Sequence, residues 1–179
     1  MATDHIRDVE NASPSLAYPT KNIIYMAKYF TYNELIKSST ADKLGIDNTP
    51  KEKYIQDNLM ELMDFLDGVR EAWTVKCEKE CWGTASIIVN CGYRCDALNE
   101  AVKGSKTSAH SIGAAADIEP KNQRNKEFLS FLEQYLLDNH IPFDQLISEK
   151  PDKNGVPSWI HIGLKNRQGK QRRMVFAIK

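Results

Sequence analysis

Two histidines and one aspartate have the residue types and spacing that suit metal chemistry. His110 and Asp117 lie seven positions apart, separated mainly by small residues, and His161 follows in the segment 159–162. Two imidazoles and one carboxylate, with a fourth position left to water, form a recognised catalytic zinc set. Zinc in such a set lowers the pKa of water to about 7. The pattern predicts a hydrolytic site, while spacing alone leaves open that His161 packs in a core and that Asp117 caps a turn.

Several ordered motifs resemble the zinc D-Ala-D-Ala carboxypeptidase and L-Ala-D-Glu endopeptidase family of peptidoglycan peptidases. Blocks similar to the family's S-G-Y-R-x-x-x-L-N and F-D-Q-L-I sequences occur at residues 91–99 and 143–147. The family signature S-x-H-x-x-G-x-A-x-D, followed by W-x-H, is matched at Ser108, His110, Gly113, Ala115, Asp117, Trp159 and His161. The resemblance covers roughly residues 29–165, and several motifs in order are more specific than any one alone.

The resemblance implies a hedgehog-like zinc peptidase fold and a role for each matched side chain. The two histidines and the aspartate of the signature would bind Zn²⁺. Arg94 would hold a substrate carboxylate or carbonyl oxygen and stabilise the oxyanion of the transition state. Ser108 would donate a hydrogen bond to the substrate backbone, and Gln145 would also contact substrate. The residues themselves leave open that Arg94 is a surface arginine after a turn and that Ser108 is a loop cap.

The general base is the point where the sequence departs from the family pattern. Many members carry an acidic residue three positions before the third ligand, whereas this chain has Ser158, which cannot take a proton from water near neutral pH. Glu149 and Asp152 are the nearest acidic candidates. We predict Glu149 as the catalytic base, because its strand would lie beside that of His161 if residues 150–157 form a hairpin loop. The alternative is a strand end that faces solvent.

Composition excludes two classes of protein. The 179 residues suit one domain, and the 24 basic and 24 acidic residues give no net charge. A balanced charge argues against a protein that binds nucleic acid by neutralising phosphates, and it predicts no attraction to an anionic membrane. No apolar run reaches the roughly 18 residues of a transmembrane helix. Residues 1–16 lack the apolar region of a secretory signal, so we expect cytoplasmic synthesis, with action on the cell wall only after release. We also expect the protein to be a monomer.

The four cysteines form two pairs with three residues between the partners: Cys77 with Cys81, and Cys91 with Cys95. This spacing permits a structural zinc site, and in an exported protein it permits a disulfide. For a cytosolic product we predict four reduced thiols.

Helical patterns come first and most strand patterns come late, which predicts an α+β fold. Thr31 and Glu34 can form a capping box, and Thr49 with Pro50 predicts the start of a long amphipathic helix that runs to Trp73. A further helix is predicted over residues 124–139. Strands are predicted over residues 86–90, 115–118, 143–149, 159–164 and 172–178.

The predicted organisation is an irregular N-terminal arm, residues 1–28, and a single zinc peptidase domain, residues 29–179. In this domain a small antiparallel sheet carries the zinc ligands, and helices pack against it.

The predicted function is zinc-dependent hydrolysis of an amide bond in the peptidoglycan stem peptide, by a carboxypeptidase-like or endopeptidase-like enzyme. The absent secretory signal favours an endolysin of a phage or prophage. Two other classes stay open. One is an inactive, zinc-containing module that binds the cell wall, which Ser158 supports. The other is a virion-associated structural protein with a wall-opening domain.

Overall fold

The computed structural model describes residues 28–179, which form five α helices, one 3₁₀ helix and five β strands. The helices are α1 (Tyr32–Ile36), α2 (Ser39–Leu44), α3 (Lys53–Lys79), α4 (Asp96–Ala101) and α5 (Asn125–Asp138), and the 3₁₀ helix is Ala109–Ile112. The strands are β1 (Ile87–Cys91), β2 (Ala115–Pro120), β3 (Gln145–Glu149), β4 (Trp159–Gly163) and β5 (Met174–Ile178). Among the described residues, no helix combines the length and the apolar character that a bilayer span requires.

The predicted α+β class is confirmed, and all five predicted strands are present, with ends shifted by one or two residues. Helices α2 and α4 and the 3₁₀ helix were not predicted, because short segments show little periodicity. The predicted N-terminal arm lies outside the described residues except for Lys28, so its boundary stays a prediction.

The five strands form one sheet in the order β1-β2-β4-β3-β5. All neighbouring strands are antiparallel except β3 and β5, which are parallel, so the sheet is mixed rather than wholly antiparallel. The reason is that β2 already occupies the outer edge of β4. The chain therefore passes across β3 after leaving β4, and β5 adds to the free edge of β3 in the same direction as β3.

Alternation along the strands gives the sheet two different faces. One face packs against α3 and α5, where Trp73 of α3 lies 4.9 Å from Phe128 of α5 between ring centroids. The side chains of this sheet face that are apolar and fully buried are Ala116, Ile118, Leu146, Ile160 and Ile162. Burial of these residues fixes the register, because a slip of one residue would turn them toward the opposite face.

The first helix begins as predicted, with a capping box. The Thr31 hydroxyl accepts a hydrogen bond from the Glu34 amide at 3.3 Å, and the Glu34 carboxylate accepts one from the Thr31 amide at 2.7 Å. Leu35 of this helix is fully buried in the core. The capping box therefore fixes where α1 starts and so positions the backbone around Leu35.

The predicted start of the long helix at Thr49 and Pro50 is wrong. Helix α3 starts at Lys53, and its N-cap residue Glu52 makes no side-chain cap. The Thr49 amide instead donates to the Asp47 carboxylate at 3.0 Å, which forms a turn ahead of the helix. The Asp47 carboxylate thus binds a backbone amide that the sequence pattern assigned to the start of the helix, and this hydrogen bond favours a turn there instead.

Gly113 links the 3₁₀ helix to β2 and has no room for a side chain. Its φ of +71° is left-handed, and a Cβ there would lie 2.8 Å from the Ile55 carbonyl oxygen and 2.9 Å from Leu59 Cγ. Gly155 has a similar φ of +76°, but a Cβ there would meet nothing within 4 Å. Substitutions at the two glycines therefore separate the free-energy cost of a left-handed backbone from the free-energy cost of steric crowding.

We predict that Gly155→Ala lowers the free energy of unfolding by about 1 kcal/mol, the cost of a left-handed backbone for alanine. Gly113→Ala should lower it by about 1–3 kcal/mol more, because its methyl group overpacks α3. Urea unfolding of the three proteins measures both values. Equal losses in the two variants would show that α3 yields to the added methyl group.

Candidate metal centre

Strand register places several polar residues on the sheet face opposite the core. Asp117 of β2 lies directly opposite His161 of β4, and directly opposite residues share a face. Cys91 of β1 pairs with Asp117 on its other side, and Ile147 of β3 pairs with His161. His110 reaches the same place from the 3₁₀ helix that immediately precedes β2. A row of side chains therefore crosses the sheet, with the aspartate and the histidines near its centre.

Three donor atoms of His110, Asp117 and His161 converge on one point. His161 Nδ1 lies 2.9 Å from Asp117 Oδ1 and 3.1 Å from His110 Nε2, and His110 Nε2 lies 3.3 Å from Asp117 Oδ1. A tetrahedral zinc ion with ligands at about 2.0–2.1 Å separates neighbouring donors by about 3.3 Å. The spacing and the chemistry of these donors therefore fit zinc.

His110 is oriented by the backbone. Its Nδ1 lies 2.6 Å from the Gly92 carbonyl oxygen, so Nδ1–H donates and Nε2 keeps its lone pair for the cluster. Gly92 in turn packs against α1: a Cβ on Gly92 would collide with the backbone of Leu35, whose carbonyl accepts from the Tyr93 amide at 2.6 Å. The close approach of α1 thus fixes the position of the Gly92 carbonyl, and this carbonyl in turn fixes the tautomer of His110.

The protonation states of the cluster suit metal ligation. Burial lowers the pKa of His110, because a charged imidazole is disfavoured away from water. Burial opposes ionisation of Asp117, but the nearby His110 and His161 outweigh it and hold the pKa of that carboxyl well below its usual range. A neutral imidazole and an ionised carboxylate are the forms in which these side chains bind metals.

Cys91 is a further candidate ligand, and the sequence did not indicate its place beside His110 and Asp117. The donor atoms of Cys91, His110 and Asp117 lie within 4.8 Å of one another, and Cys91 Sγ is 4.0 Å from His110 Nδ1. Nδ1 is already engaged by the Gly92 carbonyl, so the sulfur lies beside the ring nitrogen that does not face His161. Burial and then Asp117 raise the pKa of the thiol to about 11. Pairing of Cys91 with Asp117 across strands creates this contact.

All seven predicted site residues line one cleft of about 440 Å³: Arg94, Ser108, His110, Asp117, Gln145, Glu149 and His161. Arg94 Nη2 donates to the Ser108 hydroxyl at 3.2 Å. The same hydroxyl accepts from the His110 amide and so caps the 3₁₀ helix, which was the alternative expected for Ser108. The Nε–H of Arg94 is buried and has no hydrogen-bond partner among the described residues.

Glu149 reaches the cleft through the hairpin that the sequence suggested. It pairs with Trp159, two residues before His161, and residues 150–157 connect the two strands. Glu149 lines the cleft and is half-buried rather than turned to solvent. Burial, and then the charge of Asp117, raise the pKa of its carboxyl. A carboxyl with a raised pKa exchanges protons more readily near neutral pH.

Ser158, which occupies the usual general-base position, and Asp152, the other acidic candidate, both stabilise the hairpin. The Ser158 amide donates to the Glu149 carbonyl at 2.9 Å, and its hydroxyl donates to the Lys150 carbonyl at 3.0 Å. The exposed Asp152 accepts from the Asn154 and Val156 amides at 2.8 and 2.9 Å. Neither side chain lines the cleft.

A second part of the cleft wall contains an ion pair that the sequence did not reveal. The carboxylate of Asp144 is buried and accepts from Arg172 Nε and Nη2, both at 2.7 Å. The Arg172 amide donates to the same carboxylate at 3.2 Å. These bonds hold the chain that enters β5 against the start of β3.

The four cysteines all lie in the described part of the chain, and none of them forms a disulfide there, while their reduced state stays a prediction. Cys77 is buried in the core and accepts a hydrogen bond from the Asn122 amide group at 3.4 Å. Cys81 is exposed, and among the described residues the group of three converging metal-type donors contains Cys91 but no second cysteine.

One family of known proteins matches this chain. The sequence model of the family described as Peptidase M15 matches residues 28–147, about two thirds of the chain. The matched range contains His110 and Asp117, and ends before His161. Peptidases of this family are zinc-dependent. No curated protein matches the chain.

The Asp144–Arg172 pair gives a prediction about pH. The hydrogen bond from Arg172 is the main cause that lowers the pKa of Asp144. The folded-state pKa therefore lies below the unfolded value of about 3.9, so the pair stabilises the fold above about pH 4 and loses this effect as the pH falls further. Asp144→Asn should lower the free energy of unfolding at pH 7 by about 1–2 kcal/mol, since Arg172 is partly exposed and screened.

Urea unfolding of Asp144→Asn and the parent at pH 7, 5, 4 and 3 measures this difference. The difference should shrink below about pH 4, because Asp144 of the unfolded parent binds a proton there, whereas folded Asp144 binds it only at lower pH. A difference that stays constant from pH 7 to pH 3 would show that the charge of Asp144 is not what stabilises the fold.

Proposed function

The chain belongs to the Peptidase M15 family, and from this membership and the geometry of the cleft we propose that it is a zinc metallopeptidase of the cell-wall stem peptide. The observation that carries the proposal is the convergence of His110 Nε2, Asp117 Oδ1 and His161 Nδ1 within 3.3 Å of one another. Two imidazoles and a carboxylate leave one zinc position for the reaction.

We assign the metal to His110, Asp117 and His161 rather than to the group with Cys91. His110 can offer only its Nε2 lone pair, because Nδ1–H is bonded to the Gly92 carbonyl. His161 Nδ1 lies 3.1 Å from that nitrogen, whereas Cys91 Sγ contacts the His110 ring at the opposite nitrogen, at 4.0 Å. When bound, zinc would polarise the scissile carbonyl and lower the pKa of the attacking water to about 7.

The metal assignment predicts that the purified protein holds one zinc per chain. His161→Ala should lose most of it after dialysis, because two donors hold zinc far more weakly than three. Cys91→Ser is the matched control, and it should keep its zinc. Elemental analysis of the three proteins decides between the two sets. Zinc retained in His161→Ala but lost from Cys91→Ser would assign the metal to the cysteine-containing group.

Arg94 is suited to bind an oxygen of the substrate. Its guanidinium is held by Ser108, yet its buried Nε–H has no partner among the described residues. Arg94 also lines the cleft, so the donors of its guanidinium that face the cleft can bind a carbonyl or carboxylate oxygen of a bound peptide. A cationic donor in this position stabilises negative charge that develops on the carbonyl oxygen during attack.

Glu149 is suited to move the proton. Among the described residues that line the cleft, the other acidic side chains are Asp117, which belongs to the cluster, and Asp144, which is paired with Arg172. Glu149 can therefore accept a proton from the attacking water and donate it to the leaving amine. Asp152, the competing candidate, is bonded to its own loop.

The stem peptide is supported by the order of the motifs shared with peptidoglycan peptidases. Either the D-Ala-D-Ala or the L-Ala-D-Glu bond fits the same catalytic arrangement. Mass spectrometry of fragments released from purified cell wall identifies the bond that is cleaved.

We predict that the parent releases peptide fragments from purified wall and that Glu149→Gln loses activity by about a hundredfold or more, as loss of a general acid–base typically causes. Zinc content should not change, because Glu149 is not a ligand. Asp152→Asn is the control and should stay near the parent rate. Full activity of Glu149→Gln would exclude it as the base. A parent that binds wall but releases nothing would identify a binding module instead.

A further inference from the structure

Arg172 lines the cleft but has no role in the chemistry described above. It lies beyond residues 28–147, so the family match does not extend to it. It comes from the segment before β5, at the edge of the sheet, whereas Arg94 follows β1 at the other edge. The cleft therefore has an arginine at each end of the row that crosses the sheet, with the metal cluster between them.

The guanidinium of Arg172 is held in a fixed orientation. Its Nε and Nη2 each donate to the buried carboxylate of Asp144 at 2.7 Å. Nη1 makes no hydrogen bond within residues 28–179, and the side chain is 43% exposed. A bidentate pair fixes the plane of an arginine, so its remaining donors are already oriented when a ligand arrives.

Two amide side chains lie in the same cleft. The Gln145 side chain lines the cleft, and its amide group makes no hydrogen bond among the described residues. Asn166 uses its carbonyl oxygen to accept from the Gln168 and Lys170 amides, both at 2.9 Å, which leaves its NH₂ group free. Asp144 neutralises the charge of Arg172, so this region attracts a ligand through oriented N–H donors rather than through net charge. An acceptor with several oxygen lone pairs, such as a carboxylate, fits this set.

Sheet geometry gives the distance from the reaction. Gln145 pairs with Gly163, two residues beyond His161, and β3 is the neighbour of β4. Strand spacing of about 4.8 Å and a rise of about 3.3 Å per residue place this region roughly 8–10 Å from the metal cluster. An extended peptide covers that distance in two or three residues.

We propose that Arg172, assisted by Gln145 and Asn166, binds a substrate carboxylate two or three residues from the scissile bond and so determines specificity. The nature of the substrate rests on the proposed function. A stem peptide offers two such groups, the α-carboxylate of its D-glutamate and its C-terminal carboxylate, and the experiment separates them.

The test is equilibrium binding of three fluorescent stem pentapeptides, followed by anisotropy. One has both carboxylates free, one has the D-glutamate α-carboxamide, and one has the C-terminal carboxamide. The protein carries Glu149→Gln and zinc, so that the peptides stay intact during the titration. One of the two carboxamides should bind at least about tenfold more weakly than the free peptide, as loss of a charge-assisted hydrogen bond causes.

Arg172→Gln in the same protein should weaken binding of the free peptide to that level and abolish the effect of that carboxamide. Because this variant leaves Asp144 unpaired, the double variant Asp144→Asn with Arg172→Gln is the second test. It removes both charges and should behave in the same way. The peptide amidated at the group that Arg172 does not contact should bind like the free peptide in each of the three proteins.

The proposal is overturned if both carboxamides bind like the free peptide, if the loss on amidation persists without Arg172, or if no peptide binds. Hydrolysis by the parent is scored separately on purified wall. Discrimination without hydrolysis would refute the proposed peptidase activity and support the carboxylate site. Hydrolysis without discrimination would support the proposed peptidase activity and refute the carboxylate site.

Discussion

The antiparallel pairing of β2 with β4 is the constraint on which the rest of the site depends. It sets Asp117 opposite His161 on one face and Ile118 opposite Ile160 on the other. A slip of one residue would bury the aspartate and the histidine in the core and expose the isoleucines. The hydrophobic free energy gained when the apolar face packs against α3 and α5 thus also holds Asp117 and His161 in place. The remaining donor, His110, needs its own support.

That support comes from the contact between α1 and the turn after β1. The backbone of Leu35 lies so close to Gly92 that no side chain fits there, and the Gly92 carbonyl in turn fixes the tautomer of His110. The result is a buried group of two nitrogen atoms and a carboxylate oxygen within 3.3 Å. Polar atoms buried this closely are costly unless protons or a cation lie between them. The donors therefore have a physical reason to bind a divalent ion.

The sequence predicted the parts of the site that depend on local order along the chain. The strand of His161 and the hairpin that brings Glu149 beside it follow from patterns within a few residues, whereas the grouping of His110, Asp117 and His161 came from the resemblance to the zinc peptidase family. Thr49 shows the limit of such patterns, because its amide donates to the Asp47 carboxylate and the helix starts only at Lys53.

Features that depend on contacts between distant segments could not be read from the sequence. Cys91 lies beside the cluster because β1 pairs with β2, and no spacing rule connects residue 91 to residue 110. Arg172 enters the cleft because β5 crosses to the outer edge of β3, a placement decided by which edges are already occupied. The parallel pairing of β5 follows from the same competition for edges.

The most direct measurement is the position of the metal in crystals of the zinc-loaded protein, located by anomalous scattering at the zinc edge. The account predicts a single peak about 2.0–2.2 Å from His110 Nε2, an Asp117 carboxylate oxygen and His161 Nδ1, with the sulfur of Cys91 outside bonding distance. A peak bonded to Cys91 at about 2.3 Å, or a zinc-loaded crystal with no peak between the two histidines, would contradict it.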